Sequence, residues 1–153
     1  MRRNDAKRLG WLGLAAALAL MAGAAVAATP EAVIAERRAG YKHIDEIAKA
    51  MDTAVKAGAD MAPYAGGLDE IVAWARRVPT LFPPGTEAGG GTRALPPVWQ
   101  DRAGFDKLAA DFLAEGLKAQ KLLAGGDKAA FADQYKTLRG VCGECHRTYR
   151  AKL

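Results

Sequence analysis

The sequence predicts an all-α fold, an antiparallel four-helix bundle with one long crossover loop, and three observations carry that reading. Four segments place apolar residues at alternating three- and four-residue spacing, the pattern that lines one face of a helix. Residues 79–97 break the pattern with five prolines and four glycines, a connection long enough to cross one end of a bundle. With an N-terminal leader set aside, about 126 residues remain, the size of a single domain. No strand is needed, and there is no internal repeat.

Residues 1–27 read as a cleaved secretory signal peptide. Arg2, Arg3, Lys7 and Arg8 form a basic start, Leu9 to Gly23 is an apolar run containing Trp11 and Leu18, and Ala25-Val26-Ala27 is a small-x-small cleavage site. The apolar run is shorter than the roughly twenty residues a membrane span needs, which weighs against a retained anchor. The expected mature chain starts near Ala28, is exported by the Sec route to the periplasm, and has no membrane span. Its loss removes four basic residues and one acidic, so 22 basic against 17 acidic becomes 18 against 16. A net charge this close to zero gives no support for nucleic-acid binding.

The domain at 28–153 then follows helix by helix. Thr29-Pro30-Glu31 is an N-cap, an N1 proline and a first-turn acid, and Ile34, Tyr41, Ile44, Ala48, Met51 and Val55 form one stripe running to about Ala57, with Gly58 near its end. Pro63 and Gly66-Gly67 separate this helix from a shorter one marked by Leu68, Ile71, Val72, Ala75 and Val78, which Pro79 closes. After the connection, Phe105, Leu108, Phe112, Ala119 and Leu123 mark a third helix from about Val98 to Leu123. Gly125-Gly126 ends it and Asp127 caps the fourth, whose stripe is Phe131, Tyr135, Leu138, Cys142, Cys145 and Tyr149.

The only two cysteines of the chain lie in Cys142-Gly143-Glu144-Cys145-His146. C-x-x-C-H is the attachment signature of a c-type haem: two thiols add across the vinyl groups of the macrocycle and the adjacent imidazole reaches the iron as an axial ligand. At about 100° per residue the three side chains fan over one narrow helix face, which puts one covalent haem c near the end of the C-terminal helix. Three other chemistries use these residue types. A thioredoxin-like dithiol sits at a helix start after a strand, whereas the residues before Cys142 are helical. Zinc needs four ligands, and the chain offers only these three and the distant His43, with adjacent Cys145 and His146 on one tetrahedral ion. A plain disulfide leaves His146 unexplained.

Beyond the motif, Arg37-Arg38-Ala39-Gly40-Tyr41, Pro84-Gly85-Thr86-Glu87 with the later Trp99, and Cys142 to Arg150 make the whole mature chain resemble the cytochrome c-prime family, the class II c-type cytochromes, a standard example of the four-helix bundle. The family carries its attachment motif near the C-terminus. Arg38 departs from the glutamine the family often has there, and the Gly-rich insert after Glu87 is variable. The resemblance implies that Tyr41 faces the distal side of the haem, opposite His146, and that Arg38, Thr86 and Glu87 line the haem edge. Arg150, one turn after His146, resembles the family's basic residue beside the proximal imidazole; otherwise it is a solvated arginine at a bundle end. Arg37 falls on the inward stripe, where an unpaired charge is costly, and a haem propionate is its expected partner.

Spacing alone leaves Tyr41 an ordinary core tyrosine; the resemblance makes it the residue that decides the chemistry. Methionine at this place marks the low-spin branch of the family, with both axial sites filled. A neutral phenol is a poor iron ligand, so the expectation is a five-coordinate, high-spin iron that admits a small diatomic gas such as nitric oxide or carbon monoxide and excludes larger ligands. His43 lies about 200° around the helix from Tyr41, and Met51 about 15 Å further along the axis, so neither reaches the same iron; Met61 is packing or loop. The chain is not expected to be an enzyme. The resemblance implies gas binding, slow electron exchange with a periplasmic redox partner, and pairing as a homodimer through the first two helices. The alternatives are a six-coordinate low-spin electron carrier and a haem-free helical interaction module.

Overall fold

The computed structural model describes residues 28–152; the proposed signal peptide lies outside them. Helix α1 spans Pro30–Lys56, α2 Ala65–Arg77, α3 Pro97–Gln100, α4 Arg102–Ala124 and α5 Lys128–Tyr149. Four of these are long and form the bundle, while α3 is a single turn. Thr29 caps α1 by accepting from the Ala32 N–H at 3.2 Å, with Pro30 in the first turn as expected. At its other end Gly58 has φ +62°, the left-handed conformation that stops a helix at little cost to glycine.

Two boundaries differ from the sequence reading. Gly66 and Gly67, expected to separate helices, lie in the first turn of α2. A Cβ on Gly67 would come 2.8 Å from Cγ2 of Ile47, so the small residue serves the approach of α2 to α1. The third helix, expected as one piece from Val98, is broken at Asp101, whose φ and ψ of −115° and 58° are non-helical. The Asp101 carboxylate accepts from the Gly104 N–H at 3.2 Å and starts α4 afresh. Asp127 starts α5 in the same way, accepting from Ala130 at 2.9 Å.

α4 packs along both α5 and α2, and α2 packs on α1. The apolar stripes meet in two clusters. The first gathers Met51, Ala54, Met61, Leu68, Ile71, Ala119, Phe131, Tyr135 and Leu138. The second gathers Trp74, Val78, Leu81, Phe82, Val98, Phe105, Ala109 and Tyr149. Fully enclosed side chains such as Met51, Leu68, Phe105 and Phe131 each contribute roughly 1.5–3 kcal/mol through burial.

The proline- and glycine-rich connection is tied down at both sides. Leu95 N–H donates to Tyr149 O at 3.0 Å and Ala151 N–H to Arg93 O at 2.9 Å, around an antiparallel bridge between Ala94 and Arg150. The connection therefore closes over the end of α5 that carries the cysteine motif. Among the described residues no helix is long and apolar enough to cross a membrane.

Candidate functional site

Cys142, Cys145 and His146 are half-buried on α5, and both cysteines are free thiols. Burial, then the neighbouring Cys142, pushes the Cys145 thiol up to about 11, and burial raises Cys142 as well. Burial, followed by the positive charges of Arg150 and Arg139, holds the His146 imidazole down at about 4. At neutral pH the site therefore presents two protonated thiols and an uncharged imidazole with a free lone pair. An uncharged imidazole is the form that ligates a metal ion.

Across from this face, α1 presents Tyr41. Tyr41 and Cys145 pack against the same apolar cluster, so the residue expected on the distal side and an attachment thiol share one compartment. The Tyr41 ring meets Trp74 edge to face at 5.4 Å and Phe82 at 6.5 Å. Burial, reinforced by Cys145, pushes the phenol well above its ordinary value and keeps it neutral. Gly40 makes this possible: a Cβ there would come 2.0 Å from Cη2 of Trp74, so only glycine lets the indole lie flat on α1 beside Tyr41.

Arg37 is 3% exposed and its partners come from the chain itself. Its two terminal nitrogens donate to Leu81 O at 3.1 Å, Thr86 Oγ1 at 3.2 Å, Thr86 O at 3.0 Å and Thr92 Oγ1 at 2.6 Å. The guanidinium also lies 4.4 Å over the Phe82 ring. Backbone and hydroxyl oxygens of the connection thus occupy all four terminal N–H positions. Thr86, 1% exposed, completes the arrangement by donating to Pro83 O at 2.8 Å.

The remaining candidates sit further out. Arg38 is exposed and donates to Gly90 O at 2.8 Å, and Glu87 is exposed and accepts from the Gly85 N–H at 3.1 Å. Arg150 is exposed at the end of α5, close enough to His146 to depress its basicity. His43 is paired with Glu70 at 2.6 Å on the surface between α1 and α2, and Met51 and Met61 belong to the other apolar cluster.

Sequence reasoning left out Trp74 and Phe82. The signal for Trp74 was present, since it lies three residues after Ile71 and four before Val78 on the same stripe. Phe82 carried none, because it lies in the irregular connection, from which it meets Tyr41 directly and lies under Arg37.

The side chains around this compartment suit the chemistry of a macrocycle with two carboxylates. It needs two thiols and a neutral imidazole on one face and an apolar wall opposite. The compartment also holds one buried donor without an acceptor, Nε1 of Trp74, which a polar haem edge would satisfy. Among the described residues no three His, Cys, Asp or Glu side chains gather to hold a bare metal ion.

Known proteins point the same way. The chain is 36% identical over 141 residues to a cytochrome c' of Rhodopseudomonas palustris, an alignment covering 91% of this chain and 94% of that protein. The solved cytochrome c' from Rhodopseudomonas palustris superposes with a TM-score of 0.71 at 35% identity, covering 78% of this chain and 96% of that one. A nitric oxide complex of a variant cytochrome c prime from Alcaligenes xylosoxidans superposes with a TM-score of 0.74 at 25% identity, covering 82% and 98%. The family model described as Cytochrome C' matches residues 32–150, from the first turn of α1 through the haem motif. A four-helix bundle with its thiol pair and imidazole at the end of the last helix, matched along nearly all of its described length, belongs to the cytochrome c' family and carries haem c covalently.

Proposed function

We propose that this cytochrome binds a small diatomic gas, nitric oxide or carbon monoxide, at an open axial position screened by Tyr41. The single observation behind this is the distal wall. Tyr41 is held neutral beside the cysteine motif, and His43, Met51 and Met61 all sit elsewhere. A neutral phenol does not compete for iron as a thioether or imidazole does.

Bound haem would supply an iron able to take up a gas and to change oxidation state. The chain's residues do the rest. Cys142 and Cys145 would anchor the macrocycle, and His146, under the influence of Arg150, would offer its lone pair to the iron. Tyr41, Trp74 and Phe82 form an apolar, sterically limited approach to the other side. Such a wall favours uncharged two-atom ligands over water, anions and larger molecules. Electron exchange with a periplasmic partner is a second use of the same iron, and neither use makes the protein an enzyme in the ordinary sense.

Export follows from the basic start, apolar run and Ala25-Val26-Ala27 site of residues 1–27, and we assign the mature protein to the periplasm. We also assign it to homodimers paired through α1 and α2. One solved cytochrome c' of this fold, with a TM-score of 0.77, shows ligand-controlled dimer dissociation, which supports coupling of pairing to gas binding here.

The test is the absorption spectrum of the exported protein, oxidised and reduced, before and after carbon monoxide. A broad high-spin spectrum that shifts with the gas supports the reading. Sharp low-spin bands unmoved by the gas would replace it with a six-coordinate electron carrier.

A further inference from the structure

We propose that the indole N–H of Trp74 is a hydrogen-bond donor to a haem propionate, the task the sequence first suggested for Arg37. The inference rests on haem occupying the compartment between Tyr41 and Cys145. Trp74 is 8% exposed, and its Nε1 is the one fully enclosed side-chain nitrogen or oxygen among the described residues that has no partner. An indole only donates, and leaving a buried donor unpaired costs about 1–3 kcal/mol. Phenylalanine at this position would fill much of the same space without that cost.

The ring is closely surrounded. Its six-membered edge is pressed on Gly40, where a Cβ would stand 2.0 Å away. Its neighbours are Tyr41, edge to face at 5.4 Å, and the Arg77 guanidinium, 5.5 Å over the ring. Several other donors around the compartment are already used. Arg37 serves four oxygens of the connection, the Thr86 hydroxyl serves Pro83 O at 2.8 Å, and Trp99 Nε1 serves Pro83 O at 3.3 Å. Trp74, packed against Tyr41 at the edge of the compartment, thus carries the fully enclosed donor that has no partner.

The acceptor must be permanent to offset a permanent cost. A gas at the iron comes and goes, and the body of the macrocycle is apolar, so the haem carboxylates are the acceptors that are always present. A carboxylate also gives the stronger, charge-assisted form of the bond.

Ultraviolet resonance Raman of the haem-loaded protein tests this, because an indole N–H vibration reports whether the proton is hydrogen-bonded. Residues 28–152 contain two tryptophans, Trp74 and Trp99, so the difference between wild type and Trp74→Phe isolates the Trp74 signal. The expected result is a bonded N–H, together with a shift of the haem carboxylate bending band and a lower reduction potential in Trp74→Phe, as the carboxylate loses its donor and stabilises ferric iron. A free N–H overturns the proposal. A bonded N–H with an unmoved carboxylate band also overturns it, since the acceptor is then water; so does a shift confined to the carbon monoxide stretch, since the acceptor is then the bound gas.

If Trp74→Phe does not fold, Trp99→Phe leaves Trp74 as the sole tryptophan of those residues and its N–H is read directly. Carbon monoxide binding by the same samples separates the two readings: gas binding with a free indole sinks only this inference, and a bonded indole without gas binding sinks only the proposed function.

Discussion

Replacing Arg37 with methionine, which keeps an unbranched stem and loses the guanidinium and its donors, tests whether the guanidinium holds the connection over the site. Wild-type Arg37 reaches four oxygens spread from Leu81 to Thr92, three of those bonds buried and one partly buried. Methionine leaves Leu81 O and Thr86 O without those donors, at about 1–3 kcal/mol for each buried acceptor. Thr86 Oγ1 keeps its bond to Pro83 O, and Thr92 Oγ1, which also accepts from the Ala94 N–H, is near enough to solvent to be rehydrated. Removing the charge also relieves the desolvation cost of burying it, which offsets part of the loss. The expected net loss is about 3 kcal/mol, large for one substitution. Arg37→Lys, a point charge that cannot span four acceptors in a planar fork, should lose about 2 kcal/mol. Urea denaturation of the haem-loaded protein reads both values, and limited proteolysis should find new cleavage between Phe82 and Thr92. A methionine variant within about 1 kcal/mol of wild type, with the connection as resistant as before, would refute the claim that Arg37 organises it.

Gly40→Ala places a methyl group 2.0–2.6 Å from three indole carbons of Trp74; the overpacking should cost roughly 1–3 kcal/mol in a urea titration and change the carbon monoxide binding rate as Tyr41 shifts. Tyr41→Met supplies a thioether where the phenol stands, so the oxidised spectrum should turn low-spin and the reduced protein should resist carbon monoxide; a spectrum that stays high-spin counts against Tyr41 as the distal residue. Tyr149 donates to Asp101 at 2.7 Å, and burial followed by this bond raises its phenol from 10.0 to about 12. The folded state keeps a proton that the unfolded chain releases near 10, so Tyr149 contributes stability below that pH and loses it as pH rises towards about 12. Tyr149→Phe should therefore cost about 1 kcal/mol at neutral pH and flatten the alkaline fall in the urea midpoint.

What the sequence made legible was whatever repeats with the period of a helix or follows a short chemical rule. The stripe from Ile34 to Val55, the caps at Thr29 and Asp127 and the C-x-x-C-H motif are all local, and the stripe and both caps stand in the structure as read. The misreadings share the opposite property. Gly66-Gly67 looks like a break until Ile47 is known to lie 2.8 Å from the place of a Gly67 Cβ, a contact twenty residues away in sequence. Asp101 interrupts a helix that its neighbours favour because it caps the next one and accepts from Tyr149, forty-eight residues on. Arg37 shows the same limit within the site. Its inward position was visible from the stripe and demanded a partner, but the partners are carbonyl and hydroxyl oxygens of an irregular connection whose path no periodicity describes. Trp74 inverts the case: its place on the apolar stripe was readable, while the isolation of its N–H emerges only once Gly40 and Tyr41 have closed around the ring. A residue that reads as ordinary core is therefore the one whose unmet hydrogen bond says most about the cofactor.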